Sequence, residues 1–147
     1  MSGPVSPLQL SASGMRAQSE RLRRTAENIA NTDTPGYRRK LVAFEEAVRF
    51  GRPTGEVQTS RTLLDQSELP QIYDPSNPLA DQDGYYRGSN VDRVSEVADS
   101  REGGRSYEAN LKRINAGGEA RGSNDDQHQS RAQSQPAKFK GQADENQ

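Results

Sequence analysis

Apolar or small residues recur at Leu8, Ala12, Met15, Ser19, Leu22, Ala26 and Ile29, in steps of four and three without a slip. That period of 3.5 marks a coiled-coil seam, narrower than the face of an ordinary amphipathic helix. Ser6 suits the N-cap, and Pro7 suits the first helical position, where its missing N–H costs nothing. Asn31 is placed to end the helix, which predicts a rod of about 37 Å at 1.5 Å per residue. Small seam residues (Ala12, Ser19, Ala26) alternate with large ones (Leu8, Met15, Leu22, Ile29), and Gly14 beside the seam would permit close approach of a second helix. After the helix, Thr34-Pro35-Gly36-Tyr37 fits a type II turn: proline presets the first central φ and glycine accepts the positive second one.

A second, poorer helical stripe runs through Val91, Val94, Val97, Ala98, Tyr107, Leu111 and Ile114. Asn90 is the expected cap, and Arg101 and Gly103-Gly104 interrupt the stripe. Between the two helices the pattern changes to short apolar runs and turns. Leu41–Phe44 is a brief apolar run, Gly55–Asp65 and Leu69–Tyr73 are strand-like, and Tyr85-Tyr86 resumes an extended segment after turn signals at 74–79 and 81–84. The predicted fold class is α+β: long N- and C-terminal helices packed as a coiled-coil-like hairpin, with a small β-rich domain between them. The boundaries are 1–37 for the first helix and turn, 38–89 for the β-rich part, 90–115 for the second helix and 116–147 for a polar tail. That tail has no Leu, Ile, Val or Met and is expected to be disordered, because it cannot bury enough surface to offset its ordering entropy.

Composition supports a mixed picture. Hydrophobic residues make up 29% of the 147, and Leu, Ile, Val and Phe number only 22. The net charge of −1 argues against a wholly unfolded chain, and the apolar shortage argues against a single large core. No segment is basic enough to predict nucleic-acid binding. The absence of cysteine excludes disulfides and thiolate metal sites. The first fifteen residues show neither a charged n-region nor an apolar h-region, so no cleavable secretory signal is read there.

Candidate chemistry is sparse. The only histidine, His128, lies in the polar tail. Asp81 and Asp83 with Gly84 lack the remainder of a calcium loop and read as turn formers. No catalytic, cofactor-binding or metal-binding residue is expected. Arg21, Arg23 and Arg24 alternate with Glu20 and Glu27, as ion pairs on a solvated helix face would. Arg38-Arg39-Lys40 is either a solvated strand start or a contact to an acidic neighbour, and Asn28 is read as structural beside the capping Asn31.

The heptad helix closing in ENIANTDTPGY (Glu27–Tyr37) resembles the N-terminal signature of the bacterial flagellar axial family, the rod and hook components. Three further segments, SASGMRAQSERLR (Ser11–Arg23), YDPSNPLADQDGYYRGSNV (Tyr73–Val91) and RSYEAN (Arg105–Asn110), are similar to the proximal-rod members of that family. The motif residues carrying the resemblance are Asn28, Asn31, Pro35, Gly36, Tyr37, Tyr73, Pro75, Asn77, Pro78, Arg105, Tyr107 and Asn110. The resemblance implies a non-enzymatic structural subunit of the basal-body rod, without cofactor or small-molecule substrate. It implies self-association into a helical rod beside other rod proteins, ring-junction proteins and export-gate proteins. Flagellar type III export without a cleaved signal would follow.

On that reading the assembly seam is Leu8, Ala12, Met15, Leu22, Ala26 and Ile29 on the first helix, with Val94, Val97, Leu111 and Ile114 on the second. From Ala116 onward the chain departs from the family pattern, by a replaced reading frame or a divergent extension, and leaves Leu8, Ala12 and Met15 short of a partner in cis. An alternative reading is a non-polymerising paralogue that acts as a helical binding module for export or rod proteins.

Overall fold

The structure is a computed structural model and describes residues 5–133, with side chains as far as Ala120. The chain divides into two units, 1–114 and 115–147. In the first unit, helix α1 (Pro7–Ala30) starts with a full capping box: the Ser6 side chain accepts from the Gln9 N–H, and the Gln9 side chain accepts from the Ser6 N–H. It ends at Asn31, whose N–H donates to Glu27 and Asn28 carbonyls and whose Nδ2 donates to the Glu27 carbonyl at 2.9 Å. Next comes the expected turn. The Tyr37 N–H reaches the Thr34 carbonyl at 3.2 Å and Gly36 sits at φ 73°.

The β-rich part consists of three two-stranded antiparallel pieces. Strand β1 (Lys40–Leu41) pairs with β4 (Leu63–Leu64), β2 (Phe44–Arg49) with β3 (Arg52–Thr59), and β5 (Gln71–Tyr73) with β6 (Tyr85–Arg87). The strand expected over 55–65 breaks at Ser60 into β3 and β4. Strand β2 was not expected, because FEEAVR is charged and almost wholly exposed; pairing with β3 makes it a strand. Phe50 and Gly51 join the two strands at φ 51° and 74°, a two-residue turn with both centres in the left-handed region.

The second helix, α2, covers Arg93–Gln133, longer than the 90–115 read from the sequence. Helical hydrogen bonds are local and need no buried apolar face, so Gly117-Gly118 does not end the helix. In the second unit, Asn115–Ala120 are all exposed. The tail expected to be disordered lies, from 134 on, outside the described residues. Asn90 does not cap α2. That role falls to Asp92, whose carboxylate accepts the Val94 N–H at 3.2 Å and the Ser95 hydroxyl. These bonds, the Ser95 hydroxyl foremost, hold the Asp92 carboxyl below its ordinary pKa.

Within the first unit the two helices pack antiparallel. Asn28 meets Glu96, Arg21 meets Asp99, Leu22 meets Gly103 and Gly14 meets Asn110. Gly103, an interruption of the stripe in the sequence, is a point of close approach. A Cβ there would lie 3.0 Å from Leu22 Cδ2, so the glycine provides the seat for a seam leucine. Gly14 does the same for Asn110, whose Nδ2 would lie 2.9 Å from an added Cβ.

Candidate functional site

The face of α1 turned to the rest of the subunit is small and polar: Ser13, Ala17, Thr25 and Asn28 are its buried residues. Ser13 Oγ accepts the Val57 N–H at 3.0 Å and donates to the Leu10 carbonyl, which ties α1 to β3. Higher up, the Arg21 guanidinium lies 5.9 Å from the centre of the Phe44 ring.

The tightest cluster is centred on Asn28, 1% exposed. Its Oδ1 accepts the Lys40 N–H at 2.8 Å and the Tyr37 hydroxyl at 3.1 Å. Its Nδ2 donates to the Lys40 carbonyl at 2.9 Å and to Glu96 Oε2 at 3.2 Å. All four hydrogen-bonding positions of the amide are thereby used. One side chain joins α1, the turn, β1 and α2. Burial, with the nearby Glu27 charge second, pushes the Tyr37 phenol above its ordinary pKa.

Glu96, also 1% exposed, is ion-paired to Arg39, which reaches Asp99 at 2.9 Å with its other arm. Burial alone would lower the Arg39 pKa, but the Glu96 bond and the Glu96 and Asp99 charges raise it. Asp99 in turn holds Arg21 at 3.3 Å. Glu27 bonds Lys40 and Arg24, and those bonds hold its carboxyl below the usual range. Asn90 closes the far side. Its Oδ1 accepts the Arg39 N–H at 2.7 Å, and its Nδ2 donates to the Asp65 carbonyl and to Ser67.

The second motif region forms a compact loop between β5 and β6. The Tyr73 and Tyr85 rings meet at a tilt of 59° with centroids 5.1 Å apart, and Pro75 packs where a Gly84 side chain would stand. The Asn77 side chain accepts the Leu79 N–H, and Asp81 accepts the N–H groups of Asp83 and Tyr85, the turn-forming role expected of it. Pro35 is exposed at the first turn, and the Gly36 N–H reaches the Arg87 carbonyl at 3.1 Å, fastening that turn to β6. Pro78 is exposed on the loop; on α2, Arg105 is exposed and Tyr107 half-buried.

The seam residues lie outside the Asn28 cluster, Leu22 in its seat at Gly103. Leu8 is 42% and Val94 79% exposed; Val97, Leu111 and Ala26 are exposed too, while Ala12, Met15, Leu22, Ile29 and Ile114 are half-buried. Among the described residues only Ala17, Leu69 and Val91 form a fully buried apolar set, against six buried polar or charged residues. The subunit is closed by directional polar bonds, and much of its apolar surface faces outward.

The sequence pattern of the family described as "Flagella basal body rod protein" matches residues 8–38, the span from the first seam leucine through the turn. The chain is 41% identical over 113 residues to the flagellar basal-body rod protein FlgC of Agrobacterium fabrum, covering 72% of this chain and 81% of that one. It is 37% identical over 112 residues to the FlgC protein of Salmonella typhimurium, covering 72% and 84%. This chain belongs to the FlgC family of flagellar basal-body rod proteins. The FlgC protein of Aquifex aeolicus is 38% identical over 110 residues. The FlgC family of rod proteins is structural and non-enzymatic. No helix among the described residues is long and apolar enough to cross a membrane.

Sequence reasoning singled out Asn28, Asn31 and Tyr37 but missed Glu96, Arg39 as its partner, and Asn90 as a clamp. Glu96 carried no signal: at 3.6 residues per turn it falls off the Val94–Val97–Ala98 stripe, on a side of the helix the sequence pattern did not mark.

Proposed function

We propose that the chain is a rod subunit that polymerises through α1 and α2, buries its seam against neighbouring subunits and transmits torque through the packed helices. The observation that carries this reading is the outward apolar seam on a subunit whose own core is polar. Coiled-coil spacing specifies a partner helix, and one partner within the subunit leaves Leu8, Val94 and Leu111 uncovered. Its neighbours on this reading are copies of itself, other rod proteins, and ring-junction and export-gate proteins. It reaches the periplasm-spanning rod by flagellar type III export.

The test uses Val94→Asp, because Val94 stands 79% exposed in the single subunit. In a bacterium lacking its own proximal-rod protein, the unaltered chain restores swimming and the variant does not, while both purified chains melt alike. Swimming by the Val94→Asp strain at the unaltered rate would refute the seam.

A further inference from the structure

The β2–β3 hairpin carries an unusual tip. Phe50 is 96% exposed and its backbone sits at φ 51°, a region disfavoured for bulky residues. Val48 beside it is 58% exposed. Arg49 and Arg52 flank the ring. Arg49 is shared with Glu56 at 3.0 Å, while Arg52 has no carboxylate within ion-pair distance among the described residues. The tip is thus an aromatic knob with a basic rim, held out by a strained turn.

A surface of opposite character lies on the β5–β6 loop. Tyr73 is 63% and Leu79 65% exposed, and Asp81 and Asp83 stand exposed beside them. The two surfaces lie at opposite ends of α1. The hairpin runs along the helix toward its N-terminus, with Gly55 3.4 Å from Leu10 if given a Cβ. The loop's strands are fastened at the other end, where the Gly36 N–H meets the Arg87 carbonyl. α1 is 24 residues, so roughly 36 Å separates its ends and the knob cannot reach the loop of its own subunit.

We propose that the Phe50 knob docks on the Tyr73–Leu79 face of a second copy of this chain, with Arg52 against Asp81 and Asp83. The charges are complementary and both faces are apolar at the centre, as a protein–protein contact requires. Because the two patches differ and lie at opposite ends, the contact is heterologous and repeats from copy to copy, as a ring or an open helical array according to its rotation. The rod-subunit reading requires the open array. This inference rests on the rod-subunit reading and adds to it a contact formed outside the helical seam.

The chain has no cysteine, so single-cysteine variants give an unambiguous test. Full-length Arg52→Cys and Asp83→Cys chains, which keep Phe50, Tyr73 and Leu79 in place, are mixed at high concentration and oxidised. A disulfide dimer joining one of each is expected, and same-site dimers alone would overturn the proposal. The Phe50→Gly variant is the second arm, since glycine accepts positive φ and leaves the fold intact. It should melt no lower than the unaltered chain yet lose about tenfold or more in self-association, as removal of an aromatic anchor does. In the rod-deficient strain, Phe50→Gly swimming normally would overturn the contact and leave the rod reading standing. Failure of the unaltered chain to restore swimming would sink the rod reading, and the cross-linking result would then decide the contact by itself.

Discussion

Helix α1 has two long faces of opposite character. One, Ser13–Ala17–Thr25–Asn28, is small and polar, yet it is the face buried within the subunit. The other is the apolar seam from Leu8 to Ile29, and it is only half covered. Globular domains usually reverse this arrangement, with polar residues outside and large apolar ones inside. The contrast separates two tasks. Hydrogen bonds and ion pairs are directional, so the polar face fixes one arrangement of helix, turn and strand. Apolar contact is non-directional and depends on area, so the seam is suited to association between subunits.

The largest way to break the comparison is Asn28→Ala. It leaves the Lys40 N–H and carbonyl, the Tyr37 hydroxyl and Glu96 short of partners in a buried site. Unfolding free energy should fall by about 3 kcal/mol or more, measured by urea denaturation. A loss below about 1 kcal/mol would mean that the polar face does not hold the fold.

Acid provides a milder probe of the polar bonds that close the subunit. The carboxyls of Glu27, Asp65 and Asp92 sit below their ordinary pKa in the folded chain; bonds from Lys40 and Arg24 lower the first and Ser67 groups the second. A depressed folded pKa gives stability that is present above the unfolded value and lost as pH falls through the folded one. The melting temperature should therefore hold steady above the ordinary carboxylate range, about pH 4, and drop steadily below it. A flat profile down to pH 2 would contradict these assignments.

The smallest effect on stability belongs to the seam. Val94→Asp should change unfolding free energy by no more than about 0.5 kcal/mol, as exposed substitutions do, although it is the variant expected to stop swimming. A large stability loss would show that the seam already works inside the single subunit.

Much of α1 was legible because its signals are local. The 4–3 spacing, the Ser6 cap, the Asn31 terminus and the Pro35-Gly36 turn each involve residues within a few positions of one another. The two-helix arrangement with a small β-rich part between was also readable, from the order of patterns. Strand β2 was not, because its residues lack alternation and its conformation comes from β3. Gly103 looked like a defect because only a second helix shows that Leu22 needs the space.

The sequence by itself determined where the first helix starts and stops, which stripe of it is apolar, and which family it resembles, since these depend on neighbours along the chain. The tertiary structure alone decided that Asn28 would meet Glu96 across 68 positions, that Asn90 would clamp a loop rather than cap a helix, and that the polar stripe would be the buried one. A side chain's partners become fixed only when distant segments are brought together, and one-dimensional spacing carries no record of which polar group will be desolvated beside which.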